Sequence, residues 1–365
     1  MEKQSLTAPP RVNLACPTGL PEFLEMPGAH RLIWVRCSPG VRAPAGWRLS
    51  KFLAFSRPRT CVAGMLAFYF ASLVSGGLPP LHLVVGMVVS YHIAAIANLY
   101  NIYTDIVEDN ENIPSRVFDL GRYGRDRLLR DTHLSAAAVF ALSLLVNPYF
   151  AALTLLALIG CHQYSFPPLR MKARPRAGIL YFANAVAYPY LSVALASDAK
   201  LHVFGKPSYS ALALYLFFWF CAKGLVKNVP DYDGDKRVNV TTSATLSTTR
   251  FRAAMIAAVA NVLVYAAIAI PVAAGSIRGE YLVALLWLPV ACVQSGRLLY
   301  APGQKSWNDM LRDDMFVSVG YLSTLILIEW ISMMSIAILL LGLSIMVLSD
   351  RLGLDTRRVE DFELL

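Results

Sequence analysis

The sequence predicts an all-α, polytopic membrane bundle of about nine transmembrane helices. Three observations carry that reading. Of the 365 residues, 56% are hydrophobic and only 16% charged, against about 25% charged in an average soluble domain. Mean hydropathy is +0.50, and the apolar residues gather into runs near the length of about 20 residues that a hydrocarbon core of about 30 Å asks of a helix. The arginines and lysines, finally, concentrate in alternate loops between those runs.

In chain order, residues 1–50 form a polar leader rich in Pro, Gly and Arg. It has no apolar h-region, so it is no secretory signal peptide, and serine is sparse for an organelle transit peptide. The expectation is a partly ordered cytoplasmic extension, followed by a transmembrane domain over 51–350 and a polar tail over 351–365. Candidate spans lie near 59–76, 80–101, 133–147, 149–163, 178–197, 209–226, 251–275, 280–296 and 315–334. The third and fourth are short and joined by Asn147-Pro148, which leaves their boundaries soft. The last apolar stretch runs from Phe316 to Leu348 with Glu329 and Trp330 inside it. That exceeds one untilted crossing, so it reads as one long helix or two. No internal repeat or low-complexity tract stands out.

Nearly all the loop Arg and Lys fall in 102–132, 164–177, 227–250 and 297–314, whereas the intervening connections carry only Lys200, Lys206 and Arg278. This asymmetry predicts that the basic loops and the leader face the cytoplasm, across the cell membrane or across an organelle membrane in a eukaryote. The net charge of +9 then belongs mostly to one membrane face. The expected partner is the lipid bilayer and not nucleic acid, for which no soluble basic domain exists. Cys61, Cys161, Cys221 and Cys292 fall in or beside spans, and Cys16 and Cys37 in the leader, with no CxxC spacing; neither a disulfide framework nor a thiolate metal site is indicated.

Two span ends carry unusual polar strings. NLYNIYTDIVED (98–109) closes the second span, and on a helix Asn101, Asp105 and Asp109 share one face, with Asn98 a turn deeper. KGLVKNVPDYDGDKR (223–237) follows the sixth span and repeats the four-residue acidic spacing in Asp231 and Asp235, behind Lys223 and Lys227. Both clusters sit on the expected cytoplasmic side. One such string alone would favour solvated boundary residues; two on the same face, with none opposite, favour a site. Converging carboxylates repel unless a cation lies between them, and oxygen-only ligands suit magnesium, which typically takes one or two protein carboxylates plus substrate phosphates. Polar groups at membrane depth make Asn98, Asn101 and Lys223 functional candidates. The loop HQYSFPPLRMKARPR after the fourth span offers Tyr164, Arg170 and Lys172 to a phosphate, joined by Arg116, Lys223 and Lys227. Arg174 reads better as a charge that holds the loop inside.

These strings resemble the UbiA superfamily of intramembrane prenyltransferases, from RPRT at 57–60 to the ninth span. NIYTDIVED matches that family's NDxxDxxxD, with Ile102 in place of the usual second Asp. KNVPDYDGDK (Lys227 to Lys236) matches its KDxPDxEGDK, departing at Asn228 and Asp233. YSFPPLRMK is similar to the family loop after the fourth span, and Asn112, Pro114 and Arg116 keep most of a frequent NxPxRP, with Val117 where Pro is usual. The resemblance implies a bundle around a central cavity with magnesium held by Asp105, Asp109, Asp231 and Asp235, and by Asn101. It implies an isoprenyl diphosphate whose headgroup meets Arg116, Tyr164, Arg170, Lys172, Lys223 and Lys227. It further implies transfer of the isoprenyl group to an aromatic or other small acceptor with release of diphosphate. Tyr100, Tyr103, Phe182 and Tyr188 are candidates to face the allylic cation, with packing as their alternative role. Some UbiA-type proteins are instead terpene cyclases, which ionise the same donor without an acceptor. A transporter or scaffold would show discontinuous helices or inverted repeats, and the sequence shows neither.

Overall fold

Every apolar run of the sequence is helical in the structure, a computed structural model describing residues 16–197, 200–301 and 304–354. The leader's first fifteen residues and positions 355–365 of the tail lie outside the described residues. Three helices, α1 (Leu20–Glu25), α2 (Gly28–Cys37) and α3 (Ala45–Ser56), precede the first apolar run, α4 (Pro58–Ser75). Next come α5 (Pro80–Thr104), α6 (Ile106–Asn112), α7 (Pro114–Tyr123), α8 (Arg125–Ser143) and α9 (Pro148–Ser165). Beyond them lie α10 (Pro175–Phe182), α11 (Asn184–Ala196), α12 (Pro207–Asn228), α13 (Tyr232–Arg237), α14 (Arg250–Ala266) and α15 (Ala269–Ala273). The last three are α16 (Leu288–Tyr300), α17 (Gln304–Glu329) and α18 (Met333–Arg351). No strand occurs among the described residues. Proline opens α4, α5, α9, α10 and α12, where its missing N–H is no loss and its φ is already helical.

The molecule is an all-α, polytopic membrane bundle. Among the described residues, five helical stretches are individually long and apolar enough to cross a membrane: α5, α12, Arg250–Ala273, Gly279–Tyr300 and α18; α10 and α11, bent by 47° at their junction, make a sixth if taken as one span. At the centre stands α4, apolar on every side and buried over most of its length, against which α5, α11, α17 and α18 pack.

Three features depart from the expected boundaries or refine them. First, α8 begins at Arg125 and not near 133, because the charged turn stays helical, with Arg127 Nη1 donating to Tyr123 O at 3.2 Å. Second, the last apolar stretch is two helices. The chain breaks over residues 330–332, where Glu329 Oε2 accepts from Tyr281 Oη (2.7 Å) and Arg278 Nη2 (3.0 Å), and Ser332 caps α18 by accepting the Ser335 N–H at 3.0 Å. Third, the leader is helical from Leu20 and docks on α6 and α7. Phe23, Trp34 and Phe118 form one aromatic cluster, Trp34 stacking on Phe118 with centroids 5.9 Å apart. Trp34 lies so close to Gly121 that a Cβ there would stand 2.1 Å from the indole, so α7 needs glycine at that point. Asn98 serves this framework: its Nδ2 donates to Ser56 O (2.9 Å) and Thr60 Oγ1 (2.8 Å), tying α5 to the α3–α4 junction.

Candidate functional site

Asp105 occupies the break between α5 and α6, with φ −90° and ψ 21°. Its carboxylate is in contact with the Lys172 ammonium from the loop after α9. Thr104 joins the pair, receiving a hydrogen bond from Lys172 Nζ (3.1 Å) and donating to Asp105 Oδ1 (2.8 Å). One turn earlier, Asn101 Oδ1 accepts from Ser165 Oγ at 2.6 Å, which fastens α5 to the end of α9. One turn later, Asp109 and Arg116 form a buried pair at 2.7 Å. Glu108 pairs with Arg170 at 2.8 Å. The first acidic turn is therefore laced to its own bases, from α7 and from the loop that follows α9.

In the second cluster Asp231 stands at the N-cap of α13, and the Asp235 N–H bonds back to Asp231 O at 2.9 Å, so the helical spacing holds. Asp235 is buried. Burial, then the nearby Asp231 charge, push its carboxyl up to about 8; a hydrogen bond with Thr242 and the Lys227 charge oppose this, and Glu108 adds to it. Glu108 is likewise raised, by burial first, with Arg170 working against it. Lys172 is pressed down to about 7 by burial and then by Lys227, with Asp235 opposing; the touching Asp105 carboxylate favours the ammonium. These mutual influences tie the two clusters together electrostatically.

The backbone brings them together as well. Helix α13 packs on α6, so closely that a Cβ on Gly234 would lie 1.8 Å from Asn112 Oδ1. Arg237 Nη1 reaches to 3.8 Å of Glu111 Oε2 across the same seam. Lys227 leans over the Phe182 ring at 5.1 Å, and Phe182 stacks on Phe220. Gly224 lets α12 approach this point, since a Cβ there would sit 2.9 Å from Phe182.

Other expected residues lie elsewhere or in different company. Lys223 is buried between α12, α14 and α17, paired with Asp314 (2.8 Å) and bonded to Asn261 Oδ1 (2.9 Å), so its ammonium already has two acceptors away from the acidic turns. Tyr164 stacks on Tyr181. Tyr103 stacks on Phe166 and lies under Arg125 at 4.0 Å. Tyr100 is packed among His133, His162 and Phe166, and Tyr188 bonds Thr154 at 3.1 Å. The sequence reading passed over Glu108, Thr242 and Asp314. Glu108 had a signal, three residues after Asp105 on the same helical face; Asp314 had none, because its partner is distant in sequence.

Among the described residues no three His, Cys, Asp or Glu side chains stand close enough to hold a metal ion unaided. Magnesium does not require that, since it commonly takes one or two carboxylates and completes its shell with phosphate and water. The crowded Asp231–Asp235 pair, one member of which holds its proton to about 8, has the electrostatics of a site that a cation would relieve. The residues present fit magnesium bound together with a diphosphate.

The sequence profile of the UbiA prenyltransferase family matches residues 62–320. Over 189 residues the chain is 30% identical to a digeranylgeranylglyceryl phosphate synthase of Methanoculleus marisnigri; the match covers 51% of this chain and 64% of the relative. Among solved structures, a UbiA homologue from Archaeoglobus fulgidus bound to GPP and Mg2+ aligns with TM-score 0.56 at 19% identity, over 76% of this chain and 99% of that one. An apo UbiA homologue from Aeropyrum pernix K1 aligns with TM-score 0.56 at 16% identity, over 72% and 96%. A digeranylgeranylglyceryl phosphate synthase aligns with TM-score 0.55 at 17% identity, over 78% and 99%. At these identities the structural likeness concerns the fold.

Proposed function

The chain belongs to the UbiA prenyltransferase family, and from that premise we propose that it transfers an isoprenyl group from an isoprenyl diphosphate to an aromatic or other small acceptor, with magnesium as cofactor. The observation that carries this reading is the meeting of two acidic turns, α6 and α13, with Lys172 and Lys227 beside them. The Archaeoglobus fulgidus homologue is bound to GPP and Mg2+, which supports the donor and the metal. The Methanoculleus relative is named for making digeranylgeranylglyceryl phosphate, which supports isoprenyl transfer and widens the acceptor beyond aromatic rings.

Asp231 and Asp235, with Asp105, Asp109 and Asn101, would hold magnesium together with the diphosphate. Bound there, magnesium supplies positive charge that stabilises the diphosphate increasingly as the allylic C–O bond breaks. Lys172 and Lys227 would donate to the same developing charge, with Tyr164 and Arg170 as further proposed donors. Arg116 orients Asp109, and Arg170 orients Glu108, which keeps the first turn in place. Of the aromatic candidates for the allylic cation, Tyr103 is covered by Phe166 and Arg125 and Phe182 by Phe220 and Lys227, so a substrate would have to displace one of these neighbours to reach either ring face. Residues 51–350 form the catalytic domain in this reading and the acidic mouth faces the cytoplasm, with the leader docked on α6 and α7; the alternating basic loops support the orientation.

The test is to incubate the purified protein with magnesium and isoprenyl diphosphates of several chain lengths, with and without a panel of acceptors, and to measure diphosphate release and product mass. Acceptor-dependent release with a prenylated product is expected. No release from any donor sinks the proposal; release with a cyclised, acceptor-free product would make the protein a cyclase.

A further inference from the structure

The short helix α13 has a second face. Gly234 is turned to α6, whereas Tyr232, Asp233 and Lys236 line a surface cavity of about 590 Å³ closed by the first turn of α14 and by the ends of α16 and α17. We infer that this cavity binds the anionic headgroup of a bilayer phospholipid, behind the second acidic turn.

The charge pattern asks for an anion. Helix α14 opens on Arg250-Phe251-Arg252 with no acidic residue in its first turn, so two cations stand at the positive end of the helix dipole, the end that favours negative charge. Lys236 Nζ faces the same space, held by Tyr232 Oη at 2.8 Å and Thr248 O at 3.4 Å. Arg250 lies over the Trp307 ring at 4.0 Å and pairs with Asp233 at 2.6 Å. That pair is 41% and 54% exposed, and exposed pairs are weak, so a phosphate can take over the guanidinium.

The surroundings point to a lipid as the source of that phosphate. Arg250–Ala273 and Gly279–Tyr300 are two of the stretches able to cross a membrane, and their ends border the cavity, which places it at headgroup level. From its mouth an apolar stripe runs along α14 at four-residue spacing: Phe251, Met255, Val259 and Leu263, exposed by 52%, 38%, 49% and 61%. A headgroup on Lys236 and Arg250 would lay its acyl chain on that stripe. Because Asp231 and Asp235 belong to the same helix as Lys236, the lipid would steady the catalytic turn from behind.

The experiment reads lipid binding with no donor present, so its outcome is independent of prenyl transfer. The purified full chain in detergent is titrated with phosphatidylglycerol or phosphatidylcholine, and bound lipid is counted by native mass spectrometry. Phosphatidylglycerol should be retained at about thirtyfold lower concentration, the size expected from two basic contacts, and Lys236→Gln combined with Arg250→Gln should abolish that preference. Arg176→Gln, at an exposed arginine of α10, should keep it. Phe251→Ser leaves every charge in place and should still loosen the lipid, which covers the case in which the double variant fails to fold. Equal retention of the two lipids, or an unchanged preference in the double variant, overturns the inference. Inorganic phosphate displacing phosphatidylglycerol at matching concentration would make this a free-anion site and overturn the lipid assignment.

Discussion

Asp235 and Lys223 are both buried titratable side chains, but they answer to different demands. Asp235 is crowded by Asp231 and keeps its proton to about 8, so near neutral pH an amide at 235 matches the neutral state the fold already holds, and an amide at 231 relieves the crowding. Asp231→Asn and Asp235→Asn should therefore leave detergent Tm unchanged or raised, while diphosphate release falls by about a hundredfold or more, the scale of losing a preorganised charge. Normal release by both variants would end the catalytic assignment. Lys223 is instead balanced by Asp314, the two side chains 5% and 9% exposed. Lys223→Met strands a carboxylate in the interior and should lower stability by about 3–5 kcal/mol. Adding Asp314→Leu should restore most of the loss in the same thermal melt, and a failure to do so would show that the pair does not act as a unit. The four-residue spacing of Lys223, Lys227, Asp231 and Asp235 is plain in the sequence, and it suggested one functional stripe. Spacing fixes which residues share a helix face but not what that face meets; Asp314 arrives from α17, 91 residues on, and captures the first lysine.

At the scale of elements, the seam between α6 and α13 rests on the missing side chain of Gly234. Its Cβ would fall within 2.7 Å of the Cγ, Oδ1 and Nδ2 atoms of Asn112, so the whole amide group must move. Gly234→Ala should thus lower kcat/KM for the donor, even though alanine suits a helix better than glycine by about 1 kcal/mol. Truncating the obstacle should relieve the block: Gly234→Ala with Asn112→Ala is expected to be more active than Gly234→Ala alone, and additive losses in that cycle would refute the steric account. The leader offers a stability counterpart. Trp34, 6% exposed and packed on Phe23, Phe118 and Gly121, should cost about 3–5 kcal/mol on mutation to Ala, read as a fall in Tm. The long apolar helices were legible because a run of side chains with nowhere polar to go dictates both burial and hydrogen bonding within the segment. The leader's helices were not, because Pro, Gly and Arg dominate its composition, and its aromatic anchors gain meaning only against Phe118 on α7. The Glu329 break was half legible: the length hinted at two helices, and the partners Tyr281 and Arg278 decided it.

At the scale of the whole molecule, apolar packing around α4 holds the bundle, while magnesium is assigned to chemistry at its mouth. EDTA in excess should stop diphosphate release and leave both the helical circular dichroism and Tm in place; turnover that persists in EDTA would count against the metal. A topological rule also follows from the Glu329 break. After it, α18 runs back along α4, Gly342 against Val62, until Asp350 reaches Arg59 at 3.1 Å. Arg59 belongs to the first turn of α4 and Asp350 to the last turn of α18, so the chain ends its traverse on the side where it began. Whatever the number of complete passages between those two residues, its parity is even. A cysteine placed at Leu49 and another at Leu352, both well exposed, should in a cysteine-free background react with an impermeant reagent from one and the same side. The turn at Trp330 is what makes the count come out even: without it, an odd passage would leave Asp350 a full membrane thickness from its arginine.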